Sequence, residues 1–386
     1  MKKYKLKLII YFLILVIHSV LYAQMGNIDL DNMTLEEVTQ KIKIETNKEN
    51  LAGWYSLRAM MYYAKTNDID KAMKDIDKAL ELYPLAVFYT VKGEFYYNLE
   101  DYKHCIEYVD KALESNLTLS FKPASAYYTK GLALYKLLEY EKAIENFTKA
   151  ITLGDNYAHV YGSRGDAYLA TNRKDYLEAA YNDFVYAFNL SSQTDYLDAY
   201  MAGYVAIHLK KYKEAFYYFD ISLKENPHKY AIAYYFKTCI NFQLGNFDDV
   251  VQNVSDYLKY TTSNNYNMAN VYQVYLIRAI IYIKKYKFKL AETDIQSALS
   301  LDDEIYIPYM LRAILYFKIA ENSFTDHDKI KYRQLSKQDL NICKNLNKNI
   351  TTEELTYETI EANLKYLSQT LAKIFDEHKE YGEKIK

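Results

Sequence analysis

Proline and glycine are scarce in this chain, four and ten among 386 residues. Long stretches run without either punctuator, which excludes a turn-rich sandwich or barrel and leaves helices as the expected structure throughout. Cysteine is rarer still. Cys105, Cys239 and Cys343 are odd in number and far apart, so they provide no disulfide framework. Neither sign of charge dominates: 48 Lys and Arg oppose 50 Asp and Glu, a net charge of −2. That balance lacks the electrostatic footprint of a nucleic-acid binder and gives no overall steering toward a membrane surface.

Groups that carry chemistry are also thinly spread. His104, His159, His208, His228, His327 and His378 stand singly, none with a second His or a Cys at helical spacing. Glu100 and Glu107 around His104 make a solvated helix face rather than a metal site, and no metal is expected. His104 adjoins Cys105, but neighbours on a helix point about 100° apart, which argues against a nucleophilic pair. No glycine loop could cradle a phosphate. Glu321, Asp326 and Asp328 are too sparse for acid–base work. The chain is therefore read as non-enzymatic and without a cofactor.

What is present is hydrophobic and aromatic: half the residues are hydrophobic and 45 are tyrosine. Asn, Lys and Ile are also heavily used while Arg appears six times, a pattern of coding bias, so tyrosine richness by itself is no functional sign. Residues 1–23 read as a signal peptide. Lys2, Lys3, Lys5 and Lys7 precede an apolar run from Leu8 to Ile17, short for a membrane span of about 20 residues, and Leu21-Tyr22-Ala23 offers a cleavage site before Gln24. The expectation is an exported protein, periplasmic or extracellular, with no membrane insertion after processing. An uncleaved N-terminal anchor is the alternative.

A long period organises the rest. Tyr55, Tyr89, Tyr127, Tyr161, Ala199, Tyr234, Tyr275 and Tyr309 follow one another at spacings of 34, 38, 34, 38, 35, 41 and 34. Three residues after each comes a base in seven of eight cases: Arg58, Lys92, Lys130, Arg164, Lys237, Arg278 and Arg312, with Ala202 the exception. Small residues come next, among them Gly93, Gly131, Gly165 and Gly203. Two further small sites recur downstream, Ala72, Cys105, Ala143, Ala180 and Ala215 at the first, and Ala79, Ala112, Ala150, Ala187 and Cys343 at the second. Small residues at this spacing mark two helices per repeat that cross closely.

On these residues the chain resembles the tetratricopeptide repeat family, whose 34-residue unit alternates aromatic, large and small sites. "YTVKGEFYYNLEDYKHCIEYVDKAL" and "YYTKGLALYKLLEYEKAIENFTKAI" follow it nearly residue for residue. The resemblance implies an all-α, right-handed solenoid of about eight helix hairpins over residues 51–346. A capping helix within 24–50 precedes it, and a helix within 347–386 either caps the last hairpin or folds into the groove. Thr34 with Glu37 predicts a capping box at the start of the first cap. The pattern is weaker in the sixth copy, where Thr238, Val250 and Tyr257 occupy small sites.

Where the basic site is Arg, an Asp follows on the second helix: Arg58 with Asp75, Arg164 with Asp183, Arg278 with Asp294 and Arg312 with Asp339. Where it is Lys or Ala, that place holds Tyr108, Asn146, Tyr218 or Asn253. Planar two-pronged pairing, which Lys cannot imitate, accounts for this, and the pairs are read as structural clamps rather than a ligand site.

The resemblance implies a scaffold that binds a protein or peptide in a groove lined by the first helices. The carboxylate clamp of the family's chaperone-binding members is not matched, since Tyr128, Leu132, Tyr204, Tyr235 and Ile280 occupy corresponding places. Early hairpins carry Thr90, Glu94, Ser125, His159 and Asp166 on that side. Later ones carry Tyr200, Tyr204, Ile207, Tyr235, Phe242, Leu276, Ile280, Ile283, Met310, Ile314 and Phe317, an apolar and aromatic stripe expected to be the partner surface. The alternative is a structural subunit of an envelope or export assembly that uses hairpin edges.

Overall fold

A computed structural model describes residues 33–115, 121, 123–261 and 267–347, together with Ala362, Lys365 and Tyr366. The expected signal segment, most of the C-terminal helix and the insertions at 116–120 and 262–266 lie outside these residues. The described chain is all-helical, without strands. Its helices are α1 (Leu35–Ile44), α2 (Lys48–Met61), α3 (Ile69–Leu82), α4 (Ala86–Asn98), α5 (Tyr102–Glu114), α6 (Pro123–Lys136), α7 (Tyr140–Thr152), α8 (Ala158–Ala170) and α9 (Leu177–Leu190). They continue with α10 (Tyr196–His208), α11 (Tyr212–Glu225), α12 (Ile232–Leu244), α13 (Phe247–Tyr260), α14 (Met268–Lys284), α15 (Phe288–Leu301), α16 (Tyr306–Glu321) and α17 (Asp326–Leu346).

The chain divides into two compact units, Met1–Asp198 and Ala199–Lys386. In each, consecutive helices from α2 onward pair as hairpins, and the first helix of one hairpin also packs on the first helix of the next, as α4 on α6 and α12 on α14. This is the tetratricopeptide-type hairpin architecture. A single hairpin has too little apolar surface to fold alone, so burial comes from stacking.

α1 begins as expected. The Thr34 side chain accepts from the Glu37 N–H, and the Glu37 carboxylate accepts from the Thr34 N–H at 2.7 Å. Val38 buries the inner face of this cap among Trp54 and its neighbours. The turns of the first seven hairpins share one device, a left-handed residue at the turn: Asn67, Glu100, Leu138, Asn172, Lys210, Gly245 and Tyr286. In the second hairpin the Asp101 N–H reaches the Tyr96 carbonyl and the Glu100 N–H the Tyr97 carbonyl. These paired bonds satisfy the last carbonyls of the first helix and let the second start almost at once. Two turns are longer. Lys174–Tyr176 adds a 3-10 turn in the fourth hairpin, and α17 extends the eighth.

The helical glycines sit where helices touch. A Cβ at Gly93 would lie 3.2 Å from the Cys105 carbonyl oxygen, and at Gly131 2.7 Å from the Phe147 ring. Cys105, Cys239 and Cys343 are unpaired and buried. Burial pushes all three thiols upward, so they behave as small hydrophobes.

Candidate functional site: charged rungs and the first-helix face

Arg58, Arg164 and Arg278 each lie at a junction of three helices. Arg164 Nε and Nη2 each donate to Asp183 at 2.8 Å, within the hairpin, while Nη1 donates to Thr148 Oγ1 of the preceding hairpin at 3.1 Å. Arg58 holds Asp75 at 2.7 and 2.8 Å and reaches Thr39 of α1 at 3.3 Å. Arg278 holds Asp294 at 2.8 and 2.7 Å and reaches Ser255 at 3.0 Å. Arg312 makes the same fork on Asp339, at 2.8 and 2.7 Å. Burial raises Asp183 and Asp294 above the ordinary carboxylate range even though the arginines pull them down, the mark of ions held out of water by pairing.

The lysine hairpins use a different partner, which the sequence reading missed. Lys92 pairs with Asp77, Lys130 with Asp110 and Lys237 with Asp220. Each acid stands on the second helix of the preceding hairpin, two residues before its second small site. Upstream of Arg164 and Arg278 that same place holds a hydroxyl, Thr148 or Ser255, and upstream of Arg312 it holds Gln296. Where the base is missing at Ala202, both acid places are vacant too, with Val185 upstream and Tyr218 in the hairpin itself. Arg therefore closes a hairpin on itself and Lys ties it to its neighbour. The signal was legible as a covariation, but only by searching one hairpin upstream.

Tyrosines flank these cations at i−3 and i+4, one turn away on the same helix face. The Arg58 guanidinium lies 5.4 Å from the Tyr55 ring and 5.8 Å from Tyr62. Arg164 lies 5.6 Å from Tyr161 and 5.9 Å from Tyr168. Part of the tyrosine content thus serves as cation-facing packing rather than reflecting coding bias alone.

The apolar stripe of the later hairpins requires correction. Tyr200, Tyr204, Ile207, Tyr235, Phe242, Leu276, Ile280, Ile283, Met310 and Ile314 are all buried, six of them at 2% exposure or less; Phe317 alone is partly exposed. The reason is the direct stacking of first helices. The Tyr204 ring lies 5.6 Å from Phe236, and the Tyr235 hydroxyl donates to Gln273 Oε1 at 2.6 Å. These side chains are consumed as the contact between successive hairpins, so the structure presents them as core and not as an open groove.

In the first unit the equivalent places differ. Tyr97, Tyr135 and Leu169 correspond to buried Ile207, Phe242 and Ile283, and Leu132 and Asp166 to buried Tyr204 and Ile280, yet all five are partly exposed. Thr90 and Glu94 are buried there. The Glu94 carboxyl receives a long bond from Thr129 Oγ1 at 3.5 Å, its other oxygen has no partner, and burial raises it to about 8. His104 is exposed and bonded to Asp101 at 2.6 Å, apart from the buried Cys105. Among the described residues no group of three His, Cys, Asp or Glu could hold a metal, and no helix is long and apolar enough to cross a membrane.

Helix hairpins of this length, with small residues at the crossings and aromatic sites one turn from a repeated base, define a helical repeat protein. Models of the tetratricopeptide repeat match residues 55–84, 86–118 and 124–157 of the chain. Among curated relatives, a TPR repeat-containing protein of Methanocaldococcus jannaschii is 29% identical over 43% of this chain and 30% of its own length. Human tetratricopeptide repeat protein 6 is 23% identical over 77% of this chain and 54% of its own. A wheat Hsp70-Hsp90 organizing protein is 40% identical over 23% of this chain and 16% of its own. The chain thus spans about half the length of these relatives or less. Among solved structures, YrrB, a TPR protein with an unusual peptide-binding site, is 24% identical with a TM-score of 0.40, covering 50% of this chain and 94% of that one.

Proposed function

We propose that the chain is a protein-interaction scaffold whose partner, a peptide or helix, lies on the first-helix side of the first unit, across α4, α6 and α8. The supporting observation is the partial exposure of Tyr97, Leu132, Tyr135 and Leu169 at places that the second unit buries. Apolar and aromatic side chains interspersed with Asn98 and Asp166 suit a partner that brings both side-chain anchors and hydrogen-bonding groups. A peptide-binding neighbour and a chaperone-organizing relative agree with this class of function. With the double variant Leu132→Glu and Leu169→Glu, a partner captured from extracts of the source cells should be lost while helicity by circular dichroism is kept. Undiminished capture would shift the reading to hairpin edges.

That second reading, a subunit of an envelope or export assembly, draws support from Leu99 and Leu138. Both are apolar, exposed at 44% and 70%, and sit at successive turns. On either reading we propose export, resting on the N-terminal basic and apolar pattern of residues 1–23. Intact-mass measurement of the protein from its source should find Gln24 as the first residue, and a mass that retains Met1 to Ala23 would support the anchored alternative.

A further inference from the structure

The turn of the seventh hairpin stands out from its neighbours in its charge and in its exposed aromatic. Its sequence, Ile283 to Leu290, holds four lysines and no acid, and Lys284, Lys285, Lys287 and Lys289 are all exposed. Its left-handed place is filled by Tyr286, with φ 55° and 58% exposure. The same place is filled elsewhere by Asn67, Glu100, Leu138, Asn172, Lys210 and Gly245, so an aromatic occurs there only in this turn. The Tyr286 ring meets Phe288 at 5.8 Å and still stays largely exposed. Leu290, 48% exposed, completes an apolar tip ringed by ammonium groups. Asp248 on the preceding turn pairs with Lys285. Among the described residues Lys284, Lys287 and Lys289 form no ion pair.

We propose that this turn docks on an anionic lipid surface, with Tyr286 and Leu290 entering the headgroup region and Lys284, Lys287 and Lys289 meeting lipid phosphates or carboxylates. The shape favours a bilayer over an acidic peptide. A tip between two helix ends is convex and has no groove to enclose a chain, whereas it fits a flat, deformable surface. Tyrosine is suited to the membrane–water boundary, and lysine stems can lie along apolar surface while their charged ends stay wet. The chain's near-neutral overall charge does not oppose this, because screening limits the interaction to groups within about 10 Å of the surface.

The test is sedimentation of the full chain with phosphatidylcholine vesicles and with vesicles that also contain phosphatidylglycerol. Residues 1–23 carry lysines of their own and would favour the anionic vesicles in every variant alike, so the difference between wild type and the tip variants reports the tip. Binding should be stronger to the anionic vesicles and fall with added salt. Each lysine near such a surface is worth about fivefold, so Lys284→Gln, Lys287→Gln and Lys289→Gln together should weaken binding by roughly a hundredfold. Tyr286→Asn removes the aromatic while easing the turn. It should weaken binding several-fold while leaving the melting temperature unchanged or higher, which separates docking from misfolding. Equal binding to the two lipids, or anionic binding that survives both the triple variant and Tyr286→Asn, would overturn the proposal. Saturable binding of polyglutamate in place of vesicles would also overturn it and assign the tip to an acidic protein partner.

Discussion

Replacing Asp183 by Ala is expected to destabilise the first unit by ~3 kcal/mol, the lower end of the range for removing one partner of a buried pair. Arg164 would keep only its bond to Thr148, with its side chain 17% exposed and its charge otherwise uncompensated. The residual exposure argues for the lower end, because water can reach part of the guanidinium. Arg164→Lys should also destabilise, since an ammonium cannot fork onto Asp183. The lysine junctions supply the rescue: adding Thr148→Asp to Arg164→Lys recreates the arrangement of Lys92 with Asp77 and should recover much of the loss. Urea denaturation of the three variants measures this. If Thr148→Asp fails to help Arg164→Lys, the two kinds of rung are not interchangeable and the rule relating them is wrong.

Glu94→Gln is expected to do the opposite and stabilise the unit, increasingly so as pH rises. The folded carboxyl titrates near 8 and the unfolded one near its ordinary 4.5. Both states are protonated below about pH 4.5, so burial costs nothing there. Between the two values the unfolded chain ionises while the folded one stays neutral, and stability falls; above about pH 8 the penalty is complete. A shift of this size corresponds to a few kcal/mol. Neighbouring Tyr63, raised to about 12, and Cys105, whose thiol is pushed up as well, remain neutral across this window and do not mask the effect. Melting temperatures of wild type and Glu94→Gln should nearly coincide around pH 4.5 and diverge toward pH 8 in favour of the variant. Parallel profiles would mean that the carboxyl is solvated in the folded protein.

Much of the fold could be read from the chain because its determinants recur in register. Tyr89, Lys92 and Gly93 return as Tyr127, Lys130 and Gly131, and each return restates the same helix crossing. The Arg and Asp pairs were legible for a related reason, since both members lie in one hairpin at nearly constant separation. Lys92 with Asp77 was not, because its acid belongs to the previous copy and looks like an ordinary surface residue when hairpins are read one at a time. The apolar stripe from Tyr200 to Phe317 was misplaced because periodicity identifies a helix face without saying how near the next helix lies. A face that would be open on widely spaced helices is closed when Tyr235 reaches Gln273 on the neighbouring first helix. The partly open face at Leu132 and Leu169 carries no distinguishing sequence mark, as leucine suits core and surface contact alike.

The two kinds of rung also bear on how such an array can be inherited. A hairpin with Arg carries its counter-ion with it, so its gene segment can be duplicated or moved without leaving a buried charge unpaired at the new position. A hairpin with Lys leaves its acid behind in the segment upstream. Hairpins two and three, which depend on Asp77 and Asp110, and hairpin six, which depends on Asp220, can be transposed safely only together with the copy before them. Recombination would then tend to exchange the first three hairpins as a block and the fifth and sixth as a pair, while the fourth, seventh and eighth are free to move singly.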